Sequence, residues 1–171
     1  MRKTMEVLGI LILGYLFWIT YGALNGADRL PDRIPTHFDI SGQPNGWGSP
    51  QALWILPVVG LGLFLLMTAL AAIRFTRYNL PVRVTRANLP FIYEQTAAMV
   101  AWIKFEMLCL FVYIQSGIIK GVRAGEFHLP PMMIPAFLVA VFATVGWHLV
   151  VIIRGARARA ESADPANTFE N

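Results

Sequence analysis

Four long apolar stretches are the feature that most constrains the fold of this chain. They cover approximately residues 7–24, 52–73, 96–119 and 132–153. Each is long enough to cross a hydrocarbon core of about 30 Å, which takes roughly 20 residues at the helical rise. The stretches are continuously apolar rather than alternating, and backbone polar groups in lipid must be paired within their own segment. The sequence therefore predicts an all-α integral membrane protein with four transmembrane helices.

Composition agrees with a membrane protein and excludes several other classes. Hydrophobic residues make up 56% of the chain and charged residues only 14%, whereas charged residues are about a quarter of a soluble domain. The net charge of +4 does not indicate nucleic-acid binding, because the basic residues flank the apolar stretches, where they orient a membrane protein. The single cysteine, Cys109, excludes a disulfide framework and a zinc site built on thiolates.

The distribution of Lys and Arg predicts the topology. These residues are concentrated at the N-terminus, in the loop between the second and third stretches, and after the fourth stretch. Both termini are therefore expected in the cytoplasm, and the loop over residues 25–51 outside it. Met1-Arg-Lys before an apolar segment also fits a secretory signal, but Trp18 and Tyr21 favour a retained first span. We predict one membrane domain over 1–155 and a disordered cytoplasmic tail over 156–171.

The loop over residues 25–51, called here the motif loop, has a composition unlike its surroundings. It contains LPDRIPTHFDISGQPNGWGS over residues 30–49. Pro31 and Pro35 disfavour helix, and residues 36–40 can form a short strand. Turns are expected over 41–48, where Gly42, Gly46 and Gly48 can take a positive φ. The apolar stretches that precede and follow this loop are expected to lie in the lipid bilayer.

The ionisable residues of the motif loop allow two interpretations. At a period of two, His37 and Asp39 lie on one face of the predicted strand, and Phe38 and Ile40 form an apolar face on the other side. With Asp32, the two ionisable residues could form a ligand site. Alternatively, they make turn hydrogen bonds that fix a small lid on the helices, with Trp47 in the membrane interface. A metal site on His37 and Asp39 is disfavoured because a working zinc site needs three protein ligands. A structured lid or a recognition surface is the favoured interpretation.

Three ionisable residues interrupt the later apolar stretches and are candidates for function. Lys104 and Glu106 stand two residues apart, about 200° around a helix, so they should not face each other. Lys104 is expected to extend towards the cytoplasmic end. Glu106 is expected to bond to Tyr15 or Tyr113 or to stay protonated. Glu106 and His148 together could form a proton or substrate pathway, or a polar cluster that only fixes helix register.

Other regions give weaker signals. The loop near residues 74–95 carries four arginines between apolar residues. They could lie on anionic headgroups or serve only to orient the chain, and a cytoplasmic protein partner is a further candidate. The sequence contains no G-x-S-x-G, H-E-x-x-H, Walker or C-x-x-C motif. We therefore predict no catalytic residue and no cofactor.

The motif loop resembles a known family. The pattern L-P-x-x-I-P-x-H, followed by a glycine and an N-G-W-G turn, is similar to that of bacterial membrane proteins of unknown function that include the SdpI-type immunity proteins. Those immunity proteins protect a producing cell against its own secreted toxic peptide and sequester a repressor at the membrane. The chain departs from the pattern at Asn45, where an acid is common, and near Pro50, where a lysine is common. The positions that carry over are Pro31, Asp32, Ile34, Pro35, His37 and Gly42.

The resemblance implies a multi-pass protein of a bacterial inner membrane, acting as a non-enzymatic binding or protective module. Its motif loop is expected to recognise an extracytoplasmic peptide or envelope ligand. One alternative is a small transporter or membrane enzyme that uses Glu106 and His148. Another is a structural or signalling subunit with a membrane or cytoplasmic protein partner.

Overall fold

The computed structural model describes residues 2–27, 29–73, 80–125 and 130–162. Within these ranges the predicted all-α fold is confirmed. The motif loop adds one two-stranded sheet. In chain order the elements are α1 (Arg2–Asn25), β1 (Ile34–Phe38), β2 (Pro44–Gly48), a 3-10 helix (Pro50–Trp54), α2 (Ile55–Ala72), α3 (Leu89–Ala124) and α4 (Met133–Ser162). Four helical segments, with the 3-10 helix counted as part of the second, are long and apolar enough to cross a membrane.

The third and fourth helices extend beyond the predicted apolar stretches. α3 has 36 residues and α4 has 30, which correspond to about 54 Å and 45 Å, more than a hydrocarbon core requires. Hydropathy detects only the apolar part of a helix, and tertiary contacts extend these two further. The predicted tail over 156–171 is accordingly helical as far as Ser162, and residues 163–171 lie outside the described ranges.

The helices alternate in direction, with α3 at the centre in contact with the other three. α1 and α3 run parallel, since Lys104 bonds to Glu6 near their beginnings and Gln115 bonds to Thr20 near their ends. We call the end of the bundle that carries β1 and β2 the sheet end. The opposite end, where α1 begins and α4 ends, is the terminal end.

Buried apolar side chains form three clusters along the bundle. At the sheet end, Ile34 from β1 joins residues of α1, α3 and the 3-10 helix. The middle cluster contains Leu13, Phe64 and Leu108, and there a Cβ on Gly60 would lie 3.3 Å from the Leu108 side chain. An alanine at this position would therefore require the Leu108 and Phe111 side chains to shift by a few tenths of an ångström. The third cluster, at the terminal end, consists of Ile92, Ile152 and Ala156, with Leu80, Val82 and Val84 packed against it.

Candidate functional site

The motif loop folds into a β-hairpin. β1 and β2 pair antiparallel, with Ile34 opposite Gly48 and Pro35 opposite Trp47. The predicted strand over 36–40 lies two residues earlier, at Ile34–Phe38, and a second strand occupies part of the segment expected to form turns. The turn prediction was wrong over Pro44–Gly48, which forms β2. Gly46 in this strand allows the two strands to approach each other. A Cβ on Gly46 would lie 2.9 Å from the His37 Cβ, so the strands could not approach.

Asp39 closes the turn between the two strands. Its Oδ1 accepts hydrogen bonds from the Ser41 backbone N–H (2.9 Å), the Ser41 hydroxyl (2.6 Å) and the Gln43 backbone N–H (3.0 Å). These donors, the Ser41 hydroxyl foremost, hold the pKa of Asp39 below its ordinary value of 3.8. Gly42 has a φ of 82°, as expected, whereas Gly46 and Gly48, for which the sequence also allowed a positive φ, do not take one. The Asp39 carboxylate is therefore engaged in holding the turn.

His37 and Asp39 have separate partners. Nδ1 of His37 forms a hydrogen bond with Oδ1 of Asn45 on the opposite strand. Ile40 is 98% exposed, so it does not share an apolar buried face with Phe38. The strand ends at Phe38, and its register shifts on both sides of His37. In the described ranges no three His, Cys, Asp or Glu side chains are grouped so that they could hold a metal ion, and Asp32 is exposed.

The hairpin is fixed to the helices over a small cavity. Ile34 is 1% exposed, and Pro35 is also fully buried. Beneath them lies a cavity of about 130 Å³ between the hairpin, the 3-10 helix, the start of α2, and α3. Its lining is Ile34, Pro35, Thr36, Phe38, Ala52, Leu53, Ile55, Leu56, Ile114, Gln115 and Ile118. Pro35 and Ile34 thus serve as anchors and as the roof of an apolar space.

Gln115 supplies the polar group of this cavity. It is 1% exposed, and its Nε2 donates to Oγ1 of Thr20 (2.7 Å) and to the carbonyl of Leu53 (2.9 Å). Its Oε1 is buried and finds no hydrogen-bond partner within the described part of the chain. Sequence reasoning missed Gln115 and Thr20, although an amide and a hydroxyl inside apolar stretches were a visible signal. The lining of the cavity is therefore mostly apolar and includes a buried residue, Gln115, that has one unused acceptor.

Lys104 lies in a second polar layer, nearer the terminal end. Its Nζ donates to both carboxylate oxygens of Glu6 (2.8 and 2.6 Å) and to Oγ1 of Thr68 (2.8 Å). It also lies 4.4 Å from the centroid of the Phe64 ring. The side chain is 1% exposed, so Lys104 does not extend to the end of the bundle as expected. Lys104 joins α3 to α1 through Glu6, which was not singled out in the sequence, and to α2 through Thr68.

Glu106 faces away from Lys104, as the helical spacing predicted, and lies at the interface with α4. Its Oε1 accepts a hydrogen bond from the Thr144 hydroxyl (2.5 Å), so the expected partners Tyr15 and Tyr113 are replaced by Thr144. His148 lies one turn after Thr144 on the same helix and is 6% exposed. Oε2 of Glu106 and Nδ1 of His148 are buried with no hydrogen-bond partner among the residues described.

At the terminal end, Asn88 organises the segment that precedes α3. It is 0% exposed, and its Nδ2 donates to the carbonyls of Arg83 (2.9 Å) and Ala156 (3.0 Å). Arg159 lies 3.8 Å from the centroid of the Phe91 ring. The C-terminal part of α4 is therefore tied to the start of α3 by polar and cation–π contacts.

Comparison with known proteins points to the region that carries the hairpin. Residues 8–61 match a domain of unknown function, DUF1648, over a range that covers most of α1, the hairpin, the 3-10 helix and the start of α2. An uncharacterized protein of Archaeoglobus fulgidus is 32% identical over 109 residues, which is 58% of this chain and 57% of that protein. The chain thus spans about half the length of this relative. No solved structure matches the protein described here. The chain is similar, over its first third, to a domain whose function is unknown.

Proposed function

We propose that the protein is a non-enzymatic membrane protein that binds an extracytoplasmic ligand at the hairpin and in the cavity beneath it. The observation that carries this proposal is the apolar cavity beneath the buried Ile34 and Pro35, whose lining includes the buried residue Gln115. The resemblance of the motif loop to SdpI-type immunity proteins supports a peptide as the ligand and protection as the outcome.

Internal hydrogen bonds preorganise the hairpin for binding. The His37–Asn45 bond joins the strands, and Asp39 fixes the turn with three accepted hydrogen bonds. A loop held in one conformation loses little entropy when a ligand binds. The side chains that tie the hairpin together thus support recognition without contacting the ligand.

The cavity also defines the chemistry of the ligand. Most residues in its lining are apolar, so a ligand with an apolar group of matching size is favoured. A space of about 130 Å³ suits one aliphatic or small aromatic side chain. The ligand we infer presents an apolar side chain to the cavity, as a hydrophobic peptide does.

The test is protection of cells against the peptide fraction secreted by the host. Replacing Pro35 and His37 together by alanine removes an anchor and the cross-strand bond, so protection and peptide binding should be lost while membrane insertion is retained. Gln51→Ala is the matched control, because Gln51 is exposed at the same end outside the hairpin. Full protection by the Pro35→Ala/His37→Ala variant would refute the proposal.

The proposal also requires the sheet end to lie outside the cytoplasm, as the Lys and Arg distribution predicts. In a Cys109→Ser background, Gln51→Cys should react with a membrane-impermeant maleimide in intact cells. Ser162→Cys, at the terminal end, should react only after lysis. The opposite pattern would place the hairpin in the cytoplasm and exclude an extracytoplasmic ligand.

A small transporter or membrane enzyme is the second candidate, and the Glu106–His148 pair favours it. Two buried polar atoms without partners at one helix interface are expensive in a membrane and are typical of proton or substrate pathways. Glu106→Gln should remove a proton-dependent flux in proteoliposomes. Glu94→Gln is the control, since Glu94 is an exposed carboxylate on the same helix. Unchanged flux in Glu106→Gln, or no flux in the parent, would exclude this candidate.

A further inference from the structure

A groove of about 370 Å³ lies between α1 and α3 at the sheet end, with a lining different from that of the hairpin cavity. On α1, Tyr15, Trp18 and Gly22 follow one another at helical spacing along one face. Tyr15 and Trp18 have ring centroids 5.7 Å apart, and Trp18 is 69% exposed. This side of the groove is an apolar and aromatic surface that is open along its length.

The α3 side of the groove ends in two cations. Lys120 and Arg123 line it, and their spacing of three residues places them on one face of the helix. Both are exposed. No ion pair joins Lys120 or Arg123 to another side chain in the described ranges, so neither groove cation is neutralised there. Because α1 and α3 run parallel, the cations lie at the sheet end and the aromatic rings lie deeper.

We propose that this groove binds an anionic phospholipid. Its phosphate lies between Lys120 and Arg123, and one acyl chain follows the groove past Gly22 and Trp18. The polarity of the groove, cationic at the mouth and apolar below, matches that of a lipid molecule whose headgroup lies at the membrane surface. A cation near an anionic lipid surface strengthens binding by about fivefold, so the pair should favour an anionic over a zwitterionic headgroup by about thirtyfold.

Gly22 makes the apolar half of this proposal testable without a change of charge. A Cβ on Gly22 would meet no other atom within 4 Å, so a larger side chain there fills the groove without a clash in the protein. Gly14 on the same helix also has nothing within 4 Å and does not line the groove. Gly22→Leu and Gly14→Leu are therefore a matched pair.

The experiment is native mass spectrometry of the full chain in detergent with added lipid. We expect phosphatidylglycerol to be retained about thirtyfold more strongly than phosphatidylcholine. Gly22→Leu should lower retention of phosphatidylglycerol about tenfold, while Gly14→Leu leaves it unchanged. The Lys120→Gln/Arg123→Gln double variant should remove the preference for the anionic headgroup. The control Arg33→Gln removes an exposed cation at the same end, outside the groove, and should retain the preference.

Three results would overturn the proposal. Equal retention of the two lipids would show that the cations do not select a headgroup, and parental retention by Gly22→Leu would show that no acyl chain lies in the groove. Displacement of phosphatidylglycerol by millimolar glycerol phosphate would show a site for a free phosphate group rather than for a lipid. The assay contains no peptide, so its outcome is independent of ligand binding at the hairpin.

Discussion

Removal of the Glu6 carboxylate should destabilise the protein more than any other single change in its polar layers. Glu6→Ala leaves the Lys104 ammonium 1% exposed, with Thr68 and the Phe64 ring as its remaining neighbours. Breaking a buried ion pair by removal of one partner costs about 3–5 kcal/mol. Glu6 is 23% exposed, so water already solvates part of the pair, and we expect a loss of about 3 kcal/mol, near the lower limit.

Removal of Lys104 should lower the free energy of unfolding less than removal of Glu6 does. Lys104→Met removes the charge that is fully buried and leaves Glu6, which can contact water, so its cost should be only about 1 kcal/mol. Replacing both, in Glu6→Leu/Lys104→Met, should bring the free energy of unfolding back to within about 1 kcal/mol of the parent, since well-packed apolar residues often substitute for a buried pair without loss.

The free energy of unfolding can be measured by titration of the protein in mixed micelles with sodium dodecyl sulfate, followed by tryptophan fluorescence. Glu94→Ala is the control, because it removes an exposed carboxylate near the start of α3. The reasoning is wrong if Glu6→Ala behaves like Glu94→Ala, or if Lys104→Met costs as much as Glu6→Ala.

Three further predictions concern the two ends of the bundle. Asn88→Ala should lower the free energy of unfolding by roughly 1–3 kcal/mol, because it leaves the carbonyls of Arg83 and Ala156 without their donor. We expect faster proteolysis of the variant near the end of α4, and resistance equal to that of the parent would contradict this prediction. Gly46→Ala should separate the hairpin strands, since the added Cβ would lie 2.9 Å from the His37 Cβ. The separation would appear as a loss of cross-strand nuclear Overhauser effects, and retention of these effects would contradict the prediction. The folded-state pKa of Asp39 is lowered, so its stabilisation of the turn is complete above the ordinary value of 3.8 and is lost as the pH falls through the lowered value. The amide shifts of Ser41 and Gln43 should follow that titration, and in Asp39→Asn they should not, so pH-independent shifts in the parent would refute the assignment.

Much of the architecture follows from the order of apolar and polar residues alone. Four helical spans are required wherever four stretches of about 20 apolar residues must pair their own backbone groups in lipid. The spacing of Lys104 and Glu106 also predicted that they face different helices, because that relation depends only on the helical repeat. The extended backbone of the motif loop and the positive φ of Gly42 were equally visible, since proline and glycine act on local conformation.

The partners of the polar groups were decided by tertiary structure. Glu6 meets Lys104 across 98 positions of sequence separation, and Gln115 meets Thr20 across 95, so no local pattern could pair them. The second strand of the hairpin was hidden for the same reason, because Gly46 is required by the approach of His37 from the opposite strand. The sequence by itself determines which segments are long and apolar enough to cross a membrane, because that depends on local composition. Only the folded bundle decides which buried charges are paired, which acceptors stay unused, and where cavities and grooves lie between the helices.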